Sequence, residues 1–327
     1  MGSSWLPRLP KGSWTWALAV ALLAPARPAA AEVSEPPAES FTDEVAVGYV
    51  LVPVVVRSGD GYVSSLKDRD FRLLIDGEEV PFDSFEKRAD APISVVFLQD
   101  LSGSMEAGGK LAASREAVRF FLDQAVPADE FAIASFAGEQ IQVEVPFTND
   151  LGALAEDLET WEAYGKTALH DAVSFLPDIS AGGTHAKRAA ILITDGTDNA
   201  STIPPAEARE LVRQAQVPVY VLGLGSGSPY DLRDDGQKQH RFADVLNLLA
   251  LMSGGRYFAV AGPNDLKEAI VAIAEDLRHQ YVLGFTTTGS GKEASRRIKV
   301  EVTKKNVKVL SRQSYHGTLP RVPTVRR

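Results

Sequence analysis

Hydrophobic positions along the chain change period twice. Up to about residue 88 they alternate. Val50, Val52, Val54 and Val56 fall on one face of a strand that the turn cluster Ser58-Gly59-Asp60-Gly61 ends. Phe71, Leu73 and Ile75 alternate up to Asp76-Gly77, and Val80 and Phe82 alternate after it. Asp-Gly between such runs predicts a tight hairpin, because both residues tolerate the positive φ of a type I′ turn. Residues 45–90 therefore read as all-β.

From Ile93 the pattern is different. Ile93 to Leu98 is a nearly continuous apolar run, as a strand buried on both faces requires. Leu111, Ala117, Val118, Phe121 and Leu122 then recur at helical spacing. A hairpin is expected around Gly138, joining Phe131–Phe136 to Ile141–Val145. Asp150 is placed to cap a helix running to about Trp161. Another helix is expected from Ala168. Buried strands at Ala189–Thr194, Val217–Leu222 and Arg256–Val260 alternate with helices at Ala206–Gln216, Phe242–Met252 and Leu266–His279. Strands alternating with helices imply a mostly parallel, doubly wound α/β sheet covered on both faces, here over residues 91–279.

After His279 the alternation returns in Tyr281, Leu283 and Phe285, then in Ile298, Val300 and Val302, then in Val307 and Val309. Each flanking β segment has only about 40 residues, too few for an independent core. Residues 45–90 and 280–317 are therefore expected to pair into one small all-β sandwich with the α/β domain inserted between them. The alternative is two separate appendages docked on that domain. Residues 32–44 read as a flexible leader and 318–327 as a tail.

Composition narrows the function. The chain has 327 residues and no Cys, which excludes a disulfide framework, a thiolate metal site and a cysteine nucleophile. Arg8 and Lys11, the apolar stretch Trp14–Ala24 and the small residues Ala29-Ala30-Ala31 form the pattern of a secretory signal peptide over residues 1–31. An exported bacterial protein, periplasmic or extracellular, is expected, with no transmembrane span in the mature chain. Loss of that segment takes the net charge from -9 to -12, which argues against nucleic acid as a partner. Residues 292–327 carry eleven Lys/Arg against two Asp/Glu, so the acidic excess lies in the rest of the chain. The alternation of Arg297 and Lys299 with Ile298 and Val300 places those charges on the solvent face of a hairpin.

In open parallel sheets, sites form beyond the carboxyl ends of the strands. Asp100-Leu101-Ser102-Gly103-Ser104 follows the first buried strand, and Thr194-Asp195-Gly196 closes the second. Gly165-Lys166-Thr167-Ala168 leads into a helix between them. Two carboxylates and three hydroxyls can converge there. Such hard oxygen donors suit Mg²⁺ or Mn²⁺ without thiolate or imidazole.

These residues resemble a von Willebrand factor A domain with a metal-ion-dependent adhesion site. Asp100, Ser102 and Ser104 match its Asp-x-Ser-x-Ser motif, Thr167 its lone threonine, and Asp195 its Thr-Asp-Gly aspartate. Gly254-Gly255-Arg256-Tyr257-Phe258 is similar to the family's late strand entry. Leu66, Asp70-Phe71, Asp76-Gly77 and Gln280–Phe285 look like the flanks of the exported bacterial "VWFA-related" proteins. The resemblance implies a divalent cation, Mg²⁺ with Mn²⁺ or Ca²⁺ as alternatives. Ser102 and Ser104 would bind it directly, Thr167 directly or through water, and Asp100 and Asp195 at least partly through water. It also implies an open position for an Asp or Glu of a protein partner, and hence adhesion or assembly without catalysis.

Two other readings stay open. One is a structural envelope module whose metal only stabilises loops; the other is a metal-assisted hydrolase, for which no paired histidines or evident general base are present. His170, one turn beyond Thr167, reads as a rim histidine rather than a sixth ligand. The run Gly223-Leu224-Gly225-Ser226-Gly227-Ser228 reads as a strand-exit loop, since no helix opens there as dinucleotide binding would need. Asn199-Ala200-Ser201 reads as an incidental match to a glycosylation acceptor.

Overall fold

The computed structural model describes residues 48–59, 61–196, 198–214, 216–225, 237–288 and 292–320. The signal peptide and leader expected at the start of the chain, Thr197, Ser226 to Gly236 and the end of the tail lie outside the described residues.

The chain enters through β1 (Tyr49–Ser58), β2 (Gly61–Tyr62), β3 (Phe71–Ile75), β4 (Glu78–Val80) and β5 (Ser84–Glu86). Asp76 and Gly77 have φ of 54° and 95°, the two positive values expected of the hairpin turn between β3 and β4. The α/β part runs through β6 (Ile93–Asp100), α1 (Lys110–Leu122), β7 (Glu130–Ala137), β8 (Gln140–Thr148), α2 (Leu151–Thr160), α3 (Leu169–Ser174) and α4 (Leu176–Ala181). It continues through β9 (Lys187–Thr194), α5 (Pro205–Gln214), β10 (Val219–Leu224), α6 (Gln237–Ser253), β11 (Tyr257–Val260) and α7 (Pro263–Arg278). The chain returns to β as β12 (Tyr281–Thr286), β13 (Ala294–Val302), β14 (Lys308–Ser311) and β15 (Ser314–Gly317).

The fold is α/β with flanking antiparallel sheets. Its central sheet has the order β11-β10-β9-β6-β7-β8, parallel except for the edge strand β8. Every residue of β6, in the middle, is buried. One face packs against α1, α2 and α7 through Phe121, Leu158 and Ile273; the other packs against α3 to α6 through Val173, Leu176, Val212 and Leu246. The flanking segments interleave. β1 pairs with β12 and β14, and β3 pairs with β13, so each antiparallel sheet draws on both segments. Their inner faces share one core that includes Val52, Val54, Leu73, Tyr281, Phe285 and Tyr315.

Several boundaries differ from the sequence reading. The helix expected from Ala168 divides into α3 and α4, because Pro177 in the first turn of α4 lacks the N–H that a continuous helix would use. The third buried strand begins at Val219 rather than Val217, since Gln216 has φ of 53° and Pro218 precedes the ladder. β9 starts at Lys187, two residues early, because a fully buried lysine hides the apolar pattern there. As expected, Asp150 caps α2, its Oδ1 accepting from Gly152 N (3.0 Å) and Ala153 N (3.2 Å).

Candidate metal centre

The carboxyl end of β6 sets the first half of the site. β6 and β9 run parallel with Gln99 opposite Ile193, so Asp100 and Thr194 end adjacent strands at one level. Asp100 is fully buried, and its two oxygens are committed. Oδ1 accepts the Ser102 amide (2.8 Å) and Oδ2 accepts the Thr194 hydroxyl (2.6 Å). Thr194 Oγ1 in turn accepts the amide of Gly196 (3.0 Å), which fixes the turn that carries Asp195. The Asp100 bond also bends the chain after β6, placing Ser102 Oγ 3.2 Å from Ser104 Oγ.

Thr167 arrives on a separate segment that backbone bonds tie to both neighbours. Tyr164 N donates to Leu101 O (2.7 Å), Gly103 N to Gly165 O (3.1 Å) and Gly138 N to Lys166 O (2.6 Å). Asn199 clasps Thr167 from the loop after β9: its Oδ1 accepts the Thr167 amide (3.0 Å) and its own amide donates to Thr167 O (3.0 Å). The segments of all five sequence-selected residues, Asp100, Ser102, Ser104, Thr167 and Asp195, are thus bonded along one edge of the sheet. Four of the five are buried; Ser104 is exposed.

Electrostatically the edge is acidic and poorly solvated. Burial pushes the Asp100 carboxyl up to about 6 against the pull of the Thr194 and Ser102 hydrogen bonds, and the nearby Asp195 charge raises it further. Asp195 Oδ1 is buried and has no hydrogen-bond partner among the described residues. Its Oδ2 accepts from Lys110 Nζ (2.8 Å), and the same ammonium reaches Ser104 O (3.3 Å). Lys110 opens α1, and nothing in its sequence context distinguishes it from an ordinary helix-surface lysine. Thr194 could have been found, because it stands directly beside the selected aspartate at a buried strand end.

The donor set fits a hard divalent ion. It offers two carboxylates, one with an orphaned buried oxygen, beside two neighbouring hydroxyls. Among the described residues no three His, Cys, Asp or Glu side chains gather to hold a metal, so such a site rests on hydroxyls as much as on carboxylates. His170 turns away from it: its amide donates to Asp198 and Ser201, and its Nδ1 lies 3.4 Å from Asp198 Oδ2. The Ser201 hydroxyl donates to Asp198 rather than to the histidine, so these three residues lack the order of a nucleophilic triad.

A doubly wound domain with carboxylates and hydroxyls at the carboxyl edge of its sheet defines a structural class of α/β domains. Residues 95–197 match the family model of the von Willebrand factor type A domain, and the chain carries a domain of that family. Among curated proteins it is 27% identical over 214 residues to a UPF0353 protein of Mycolicibacterium vanbaalenii, covering 60% of this chain and 63% of that protein. It is 28% identical over 217 residues to the magnesium-chelatase 67 kDa subunit of Chlorobaculum parvum, covering 62% of this chain and 33% of that protein. The chain thus spans less than two thirds of the length of these relatives. Among solved structures, BatB from Bacteroides thetaiotaomicron aligns with 22% identity and a TM-score of 0.46, over 57% of this chain and 97% of that one.

Proposed function

We propose that this protein is an exported, non-enzymatic binding module that captures an Asp or Glu side chain of a protein partner through a divalent cation. Asp100, Ser102, Ser104, Thr167 and Asp195 would hold the ion, with Mg²⁺ the best match to hard oxygen donors and Mn²⁺ or Ca²⁺ as alternatives. The observation that carries this reading is the buried pair Asp100 and Asp195, one with a raised pKa and the other with an unpartnered oxygen. The Asp195 charge adds to the burial that disfavours the Asp100 carboxylate, and a cation held at this edge would offset that penalty. When bound, the ion supplies a Lewis-acidic position for a partner carboxylate. The protein's part is to hold the two hydroxyls together through the Asp100–Ser102 bond and to keep water from the carboxylates. No helix among the described residues is long and apolar enough to cross a membrane, and export rests on the leader pattern of residues 1–31.

The Lys110–Asp195 ion pair favours a second reading, in which the lysine is the resident cation and the edge is structural. One experiment separates the two. Calorimetric titration and thermal shift with Mg²⁺, Mn²⁺ and Ca²⁺ should show saturable binding by the wild type and none by Asp100→Ala with the fold retained. Should the wild type ignore all three ions while Lys110→Met responds, the resident-lysine reading replaces the first.

A further inference from the structure

A second charged site lies away from the metal centre, where β1 and β14 pair beside the start of β11. There a cavity of about 420 Å³ is lined by Arg57, Arg256 and Lys308, with Gly59, Asn306, Val307 and Leu310 completing its wall and no acidic side chain among the described lining residues. Arg57 and Lys308 stand directly opposite each other in the antiparallel register. Like charges at such positions destabilise a sheet. Neither forms an ion pair or side-chain hydrogen bond with any described residue, although the molecule as a whole carries an excess of acid. Lys304 and Lys305, exposed in the turn between β13 and β14, add to the same field.

The two guanidinium groups are also held in place. Arg57 lies over the ring of Tyr62 at 4.9 Å, and Tyr62 is stacked on His279 and donates to Asp276 Oδ1 (2.7 Å). Arg256 lies over Phe258 at 4.6 Å, and its Nη1 meets Asp276 Oδ2 at 3.2 Å. Asp276 is fully buried and divided between Tyr62 and Arg256, so it neutralises neither Arg57 nor Lys308. A guanidinium stacked by its face keeps its N–H edge for a planar or tetrahedral oxyanion. Arg57 and Lys308, crowded beside the paired Arg256 with no counter-charge among the described residues, are an arrangement that an anion relieves.

We infer that this cavity is a binding site for a phosphate-bearing ligand, independent of the metal centre. Its volume exceeds that of one phosphate, leaving room for a diphosphate or for a phosphate ester with part of its organic group. The source of the phosphate is either a soluble compound or an anionic lipid headgroup, and two probes distinguish them.

The full chain in EDTA is titrated with inorganic pyrophosphate by calorimetry and ³¹P NMR, and sedimented with vesicles of phosphatidylglycerol or of phosphatidylcholine alone. Saturable pyrophosphate binding, or capture by the phosphatidylglycerol vesicles only, is expected. Either should weaken about tenfold or more in the double variant Arg57→Gln/Lys308→Gln. Lys308→Gln alone, on an exposed side chain, gives a partial loss without disturbing the fold. Lys299→Gln, whose lysine is already paired with Glu301, and Asp100→Ala should both bind like the wild type. Pyrophosphate binding identifies a soluble ligand, and vesicle binding alone a headgroup. Absence of both, undiminished binding by the double variant, or loss in Asp100→Ala overturns the inference.

Discussion

Asp100 shows how one buried side chain makes stability depend on pH. Its carboxyl sits near 6 in the fold against 3.8 when solvated, because burial outweighs the two hydrogen bonds it accepts. The folded protein therefore binds the proton more tightly than the unfolded chain. By linkage, this residue's contribution is fully present below about pH 4 and is lost as pH rises through about 6, a cost of roughly 3 kcal/mol at neutrality. Asn at this position keeps an acceptor for the Ser102 amide and carries no charge. In EDTA, urea denaturation of Asp100→Asn and wild type should show the variant's relative stability rising between pH 4 and 6 and then levelling off. A constant difference across that range would mean the carboxylate is not desolvated. With a divalent ion present the wild type should regain stability and the variant should not.

At the level of elements, the strand that enters the sheet edge depends on Gly254-Gly255. A Cβ on Gly255 would lie 2.1 Å from Val219 O and 2.5 Å from Val219 C, both backbone atoms of β10. Neither can move without breaking the parallel pairing of β10 with β9 and β11. Gly255→Ala should therefore cost about 2 kcal/mol or more, read as a lower urea midpoint, while an alanine at the half-buried Gly262, where a Cβ meets nothing within 4 Å, should cost less. This glycine pair was legible in the sequence as a motif, although its reason is a contact that no local pattern shows. The same division holds elsewhere. Asp76-Gly77 and the Asp150 cap were readable because their physics is local, within two or three residues. The ends of β9 and β10 were not, because buried Lys187 and the Pro218 entry are settled by tertiary partners. In the site, Asp100, Ser102, Ser104 and Asp195 stood out by following buried strands, and Thr167 through the family resemblance. Lys110 did not, since its partner Asp195 is 85 residues away.

Across the whole molecule, the chain crosses between the sandwich and the α/β part twice, before β6 and after α7. Lys187 touches both crossings: its Nζ donates to Arg88 O (2.7 Å) and to Arg278 O (3.0 Å), and the side chain is fully buried at the foot of β9. Burial lowers its pKa from 10.5 to about 8, ahead of a partly opposing pull from Glu86. Here the unfolded chain binds the proton more tightly than the fold. The charged ammonium is thus a cost below pH 8, and this residue's contribution to stability grows as pH rises from about 8 towards 10.5. The full window corresponds to roughly 3 kcal/mol, of which about 2 is accessible by pH 9.5. Because a single side chain spans both crossings, the effect should belong to one unfolding transition that removes the sandwich and α/β cores together. Urea curves for wild type and Lys187→Met, followed by far-ultraviolet circular dichroism and by tryptophan fluorescence, measure this. The wild type should gain stability relative to Lys187→Met over pH 8 to 9.5, with the two probes coincident. A difference independent of pH would show that the ammonium reaches water, and separated transitions would show that the two crossings open independently.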